Sequence, residues 1–243
     1  MNEENQVYFV DSDTLPPAAL ERKHRLEQDP SFRTNHMEYM KGMEIIQSDI
    51  KDKVLKAMDE FDYDAYTAAD VERALSHETC SVEDFKALIS PAAAPYLEQM
   101  ARKAEEVTKN HFGNTVYIFT PLYIANYCQN YCIYCGFNCY NNIRRKKLNF
   151  QEIEHEMQVI AKTGMEEILL LTGESRKYSD VEYIGEAVKI ARKYFKNIGI
   201  EIYPVNVDEY KYLHECGVDY VTVFQETYNS DKYETLHLAG HKR

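Results

Sequence analysis

The sequence predicts an α/β fold: a charged helical region followed by a parallel sheet. Three observations carry this. After Gly113, short apolar runs alternate with amphipathic stretches, the pattern of βα units whose strands are buried on both faces. Before Gly113, apolar residues recur at helical spacing behind Ser and Thr caps. With 243 residues, 44% of them hydrophobic, the chain is long and apolar enough to bury a large core.

In chain order, residues 1–36 are polar and broken by Leu15-Pro16-Pro17 and Asp29-Pro30, so they read as a poorly ordered tail. Residues 37–111 read as a helical N-terminal region. Met40 to Phe61 has mixed helical spacing. A capped start at Thr67-Ala68-Ala69-Asp70 places Val71, Ala74 and Leu75 on one face. A second start at Ser81-Val82-Glu83-Asp84 carries Phe85, Leu88 and Ile89, and a third helix runs from near Pro91 through Tyr96, Leu97, Met100, Ala104 and Val107 to Gly113.

Residues 112–243 form the βα portion. Strands are expected at Thr115–Ile124, Glu167–Leu171, Ile198–Val205 and Asp219–Phe224, with helices at Gln151–Thr163, Asp180–Phe195 and Asp208–Cys216. Ligands of parallel α/β sheets sit beyond the carboxyl ends of the strands. The residues found there are the loop after the first strand, then Thr172-Gly173-Glu174, Asn206, and Gln225-Glu226-Thr227.

A formal charge of −12 argues against nucleic acid or an anionic membrane as partner. The dense basic run Arg144-Arg145-Lys146-Lys147 reads as a solvated loop. No stretch approaches a membrane span, and the N-terminus lacks signal-peptide features, so a cytoplasmic protein is expected. In that reducing compartment clustered cysteines indicate a metal or redox site. Cys80 and Cys216 stand alone and read as small apolar residues.

CQNYCIYCGFNC, residues 128–139, holds four of the six cysteines. Structural zinc needs two knuckles separated by a spacer, which this run lacks. A closed ferredoxin-type cluster would take Cys139 as fourth ligand, but the first gap is three residues and Tyr140 replaces the usual proline. The third reading takes Cys128, Cys132 and Cys135 alone, leaving one iron of a 4Fe-4S cluster open to a small-molecule chelate. Cys139 is then a bystander.

C-x3-C-x2-C with aromatic Tyr134 before the last cysteine, after the first strand of a βα series, resembles the radical S-adenosylmethionine superfamily. SPAA (90–93), FGNTV (112–116), PLYIANYC (121–128), YCGF (134–137), RRKKL (144–148), LLLTGE (169–174) and FQETY (224–228) are similar to its aromatic-amino-acid lyases, on the tyrosine-lyase branch of thiamine biosynthesis. The resemblance implies a partial TIM-type (βα) barrel with four of about six strands present, so the chain is expected to be a fragment, unstable or inactive alone.

It further implies a 4Fe-4S cluster on Cys128, Cys132 and Cys135, and S-adenosyl-L-methionine contacts from Tyr134, Thr172, Gly173, Glu174, Gln225, Glu226 and Arg145. His237 would lie near the substrate, and Glu201 would face the cavity. The implied reaction cleaves the Cα–Cβ bond of L-tyrosine to 2-iminoacetate and 4-cresol. It would draw electrons from a flavodoxin or ferredoxin, with a thiazole synthase as possible partner. The hydrogenase-maturation tyrosine lyase and a plain 4Fe-4S electron carrier are the alternatives.

Overall fold

The computed structural model describes residues 17–28, 48–240 and 242. The chain divides into two compact units, one of residues 47–117 and one combining residues 1–46 with 118–243. Of the tail expected at 1–36, the described residues form a helix, α1 (Pro17–Gln28). The remainder of that tail and residues 37–47 lie outside the described residues.

The helical unit contains α2 (Ile50–Asp59), α3 (Ala68–Ser76), α4 (Val82–Ile89), a 3-10 turn at Pro91–Tyr96 and α5 (Leu97–Phe112). Thr67 and Asp70 form a capping box at α3, and Ser81 and Asp84 form another at α4. These boxes satisfy amide donors that a helix start otherwise leaves open. Asp84 also takes His77 Nδ1 at 2.9 Å, and that fixes the rotation of α4. Asp84 and Ala87 point inward, while Phe85 and Ile89, expected on the core face, are exposed. Helix α5 buries no residue fully, and Gly113, with φ 62°, closes it.

The second unit holds β1 (Phe119–Ala125), β2 (Tyr131–Cys132), α6 (Phe150–Ala161), β3 (Glu167–Thr172), α7 (Val181–Ala191), β4 (Asn197–Glu201), α8 (Val207–Cys216), β5 (Tyr220–Thr222), α9 (Ser230–Leu236) and β6 (His237–Ala239). Strands β1, β3, β4 and β5 pair in that order, all parallel. Sequential order with right-handed crossovers puts every crossover helix on one face. Ile168, Leu170, Ile198 and Ile200 accordingly meet Ile153, Met157, Ile184, Val188 and Leu213 in one core.

The expected burial of both sheet faces therefore holds only in part: Phe119 and Tyr123 of β1 and Val221 of β5 are exposed. One-sided helical cover on a parallel sheet is the build of a barrel wall. Three strands differ in extent from expectation, β5 being shorter at both ends (Tyr220–Thr222). Val116 to Ile118 are exposed and precede β1, because the ladder with β3 begins at Phe119 and Glu167. Strand β4 ends at Glu201, where its last partner, Thr222, also ends.

Register aligns the carboxyl ends of the strands: Ala125 faces Thr172, Leu171 faces Glu201, and Glu201 faces Thr222. A separate antiparallel pair, β2 with β6, lies outside this sheet and brings Cys132 opposite His237. Helix α1 packs on β6, with Leu20 against the buried pair Tyr131 and Leu238. No described helix is long and apolar enough to cross a membrane.

Candidate active site

The cysteine loop leaves β1 at Ala125 and is held by its own backbone and by two side chains. Asn126 donates its amide N–H to Lys146 O at 3.1 Å, Cys135 N–H to Cys132 O at 3.0 Å, and Cys139 N–H to Asn130 O at 2.9 Å. The guanidinium of Arg145 donates to Asn126 O (2.7 Å), Phe137 O (2.8 Å) and Asn138 O (2.5 Å). Its planar fork suits this task, since one group closes both ends of the loop. Arg145, expected against a cofactor carboxylate, is thus turned toward loop carbonyls. Asn138, buried, adds its amide to Cys135 O at 2.9 Å. Two more residues of the basic run are also engaged, Lys146 with Glu152 and Lys147 over the Tyr183 ring.

Cys132 is buried on β2, Cys128 and Cys135 are half-buried, and Cys139 is exposed. Burial pushes the Cys132 thiol up to about 12, against the opposing pull of Lys242, and the neighbouring Cys135 and Cys128 raise it further. Among the described residues no three His, Cys, Asp or Glu side chains are gathered into a metal-ligand group. A protonated thiol at Cys132 needs a metal's charge to become a ligand, because coordination deprotonates it outright. Phe137 N–H donates to Cys135 Sγ at 3.4 Å, a contact that suits a thiolate.

Beside the loop lies the turn after β3. Gln129 N–H donates to Glu174 O at 3.0 Å, and Gly173 N–H to Ala125 O at 2.9 Å. A Cβ on Gly173 would drive into the Tyr127 carbonyl oxygen and stand 2.8 Å from its carbon, so only glycine allows the two chains to approach this closely. Among the described residues, three buried oxygens here have no hydrogen-bond partner: Thr172 Oγ1, Glu174 Oε1 and Ser175 Oγ. Orphaned buried polar atoms are costly, and three on one turn indicate a polar ligand that completes them. The other Glu174 oxygen accepts from Asn130 Nδ2. Burial lifts the Glu174 carboxyl to about 7, with Lys242 opposing and Glu226 adding to the rise.

The third wall comes from β5 and β6. Tyr134 O–H lies 2.7 Å from His237 Nε2, and His237 Nδ1 lies 2.8 Å from Tyr233 O. The carbonyl requires N–H at Nδ1, and burial lowers the His237 pKa, so the neutral ring accepts the Tyr134 proton at Nε2. His237 is completely buried. Glu226 accepts from Lys242 Nζ at 2.8 Å, and its Oε2 stands 3.9 Å from His237 Nε2. Burial raises the Glu226 carboxyl, but the hydrogen bond and charge of Lys242 oppose that, and the carboxyl ends below its ordinary value. Gln225 is exposed and donates to Thr227 O at 2.8 Å, away from this group. Glu201, half-buried at the end of β4, is raised by burial and lowered by Lys242.

The structure thus joins the cysteine loop, Thr172-Gly173-Glu174, Glu226 and His237 at the carboxyl ends of the strands. Asn130, Ser175, Gly240 and Lys242 belong to the same place and were not among the residues expected from the sequence. The only sequence signal for them is adjacency to the motifs: Asn130 lies between the first two cysteines and Ser175 follows the turn.

The described chain thus sets a C-x3-C-x2-C loop and an unsatisfied polar turn at the carboxyl edge of a parallel βα wall. The family model described as the Radical SAM superfamily matches residues 122–243, and the chain belongs to that superfamily. Within it, the chain is 43% identical over 177 residues to 2-iminoacetate synthase of Salmonella typhimurium and 42% identical over 177 residues to that of Escherichia coli. Each match covers 73% of this chain and 47% of the relative, so the chain spans about half the length of the curated relatives it matches. Among solved structures, HydG, a maturase of the [FeFe]-hydrogenase, superimposes with a TM-score of 0.72 at 26% identity, covering 80% of this chain and 45% of that one.

Proposed function

We propose that this chain is the cluster- and cofactor-holding part of a radical S-adenosylmethionine lyase of the 2-iminoacetate synthase kind. Its reaction would break the Cα–Cβ bond of L-tyrosine, giving 2-iminoacetate and 4-cresol. The observation that carries the cofactor assignment is the triad of orphaned oxygens on Thr172, Glu174 and Ser175, one hydrogen bond from the cysteine loop. The tyrosine assignment rests on the 42–43% identity to the two 2-iminoacetate synthases.

When bound, a 4Fe-4S cluster and S-adenosylmethionine together supply one-electron cleavage chemistry and a hydrogen-abstracting radical. The chain's own residues do the rest. Cys128, Cys132 and Cys135 hold the cluster, and Arg145 and Asn138 keep their loop closed. Glu174 Oε1 would accept from an ammonium, Thr172 Oγ1 and Ser175 Oγ would complete the polar wall, and Gly173 admits close backbone approach. Tyr134 and Glu226 face the same space, and His237 fixes the Tyr134 hydroxyl. An electron donor of the flavodoxin or ferredoxin kind would supply the reductant, and a thiazole synthase would take the product.

The test is product analysis after anaerobic reconstitution and reduction, with S-adenosylmethionine and L-tyrosine supplied. Formation of 4-cresol with 2-iminoacetate supports the assignment. Carbon monoxide among the products favours the hydrogenase-maturation branch, to which HydG, a related family member, belongs. Thr172→Val and Glu174→Gln each weaken S-adenosylmethionine binding by on the order of tenfold, the cost of one lost buried hydrogen bond. Unchanged affinity in both variants would remove this turn from the cofactor site.

A further inference from the structure

Among the described residues, the cofactor reading leaves Lys242, a half-buried cation, without a task. Lys242 carries a side chain only 27% exposed, paired with a Glu226 side chain only 23% exposed, at 2.8 Å. Its place is fixed by backbone. Gly240, with φ 88°, turns the chain after β6 in a conformation that side-chain-bearing residues rarely adopt. A Cβ there would collide with Asn130 Oδ1 and stand 2.7 Å from Asn130 Cα. Beyond the turn, Lys242 N–H donates to Asn130 Oδ1 at 3.3 Å. Asn130 also holds Glu174, so one buried amide ties together the cysteine loop, the turn after β3 and the segment carrying Lys242.

The charges around that amide are uneven. Glu201 ends β4, and Glu174 and Glu226 follow β3 and β5, so three acids gather at the carboxyl ends of the strands. Three thiolates on a 4Fe-4S cluster would add more negative charge, and one-electron reduction more again. A reduced cluster in partly buried, weakly screened surroundings needs compensating positive charge. Lys242 acts electrostatically on all three acids and on Cys132. Burial lowers its own pKa, but the bond to Glu226 outweighs this and the group stays charged.

We propose that Lys242 is a positioning cation of the cofactor site: fixed by Gly240 and Asn130 beside the cysteine loop, it holds the Glu226 carboxylate in place and favours the reduced state of the cluster. This rests on the cluster reading above. Lys242 touches neither reactant in this role; it acts through Glu226 and through its field.

The experiment is a redox titration of the anaerobically reconstituted chain, followed by the paramagnetic signal of the reduced cluster, on the parent, K242Q, K242R and E226Q. K242Q lowers the midpoint potential, because loss of a positive charge disfavours the more negative state. E226Q raises it, because the ammonium is left uncompensated. K242R keeps the parent potential. K242Q also weakens S-adenosylmethionine binding by on the order of tenfold, through a Glu226 no longer held, and K242R restores it.

If K242Q assembles no cluster, K242R and E226Q still decide: a parent-like arginine variant with a raised potential in E226Q supports the proposal. Equal potentials for K242Q and parent, shifts of the same sign in K242Q and E226Q, or K242R shifted as far as K242Q overturn it. A parent chain that assembles no cluster removes the cluster reading and this inference together, whereas a normal parent beside a parent-like K242Q removes this inference alone.

Discussion

Gly173→Ala is the sharpest structural perturbation at the site. The new Cβ would run into the Tyr127 carbonyl oxygen, with the carbonyl carbons of Tyr127 and Asn126 at 2.8 and 3.2 Å. All three neighbours are backbone, so no rotamer change relieves the clash. The Gly173 N–H bond to Ala125 O ties the end of β3 to β1, and moving Gly173 away gives up that bond. Overpacking of this kind costs about 2–3 kcal/mol. With a slope of ~2 kcal/mol per molar urea, the unfolding midpoint falls by ~1 M. The chain has no tryptophan, so far-UV circular dichroism follows the transition. Gly136→Ala is the control, since a Cβ there meets nothing within 4 Å. Gly173→Ala within 0.5 kcal/mol of the parent would refute the close approach of the two chains (~0.5 kcal/mol bounds ordinary surface changes).

Three further outcomes are expected. Arg145→Lys loses about 2 kcal/mol, because an ammonium cannot bridge the carbonyls of Asn126, Phe137 and Asn138 as the planar fork does; amide exchange across residues 126–145 should accelerate, and unchanged protection counts against the loop-closing role. In the helical unit, hydrogen bonds from Thr67 and Arg73 hold the Asp70 carboxyl down at about 2, and those from His77 and Ser81 hold Asp84 lower still. Depressed folded values mean that both acids stabilise fully above the unfolded carboxylate range near 4 and lose this as pH falls toward 2; exchange in α3 and α4 should rise over that window, and Asp84→Asn should flatten the dependence. Cys139→Ala leaves cluster assembly intact, while Cys132→Ala abolishes it, as read by visible absorbance of the reconstituted chain.

The sheet was legible because its strands are short apolar runs and its crossover helices carry their own stops. Thr163-Gly164 and Cys216-Gly217 mark the ends of α6 and α8, and Asn149, Asp180 and Asn206 cap α6, α7 and α8. Strand lengths were less legible, because a ladder ends where its partner ends. Ile202, Tyr203 and Val205 are as buried as strand residues yet have no neighbour on β5 to pair with. On α4 the apolar pattern misled, since the bond between Asp84 and His77 turned the helix to bury a polar residue.

At the site, the cysteine spacing and the turn after β3 could be read locally. The clasp of β2 with β6 could not. Cys132 and His237 are far apart in sequence, and strands of two and three residues carry no usable periodicity. Asn130 and Lys242 take their importance from that non-local pairing. Arg145 lay inside a noted basic run, but its partners are carbonyls, which no side-chain pattern announces.

The central claim is that three cysteines hold a cluster whose open iron meets S-adenosylmethionine at the Thr172–Ser175 turn. Paramagnetic resonance of the reduced, reconstituted chain with and without S-adenosylmethionine tests it most directly. A 4Fe-4S signal that shifts on addition, retained in Cys139→Ala and shifted less in Glu174→Gln at the same subsaturating ligand concentration, is the expected result. A signal indifferent to S-adenosylmethionine, or a cluster lost with Cys139 rather than with Cys128, Cys132 or Cys135, would contradict it.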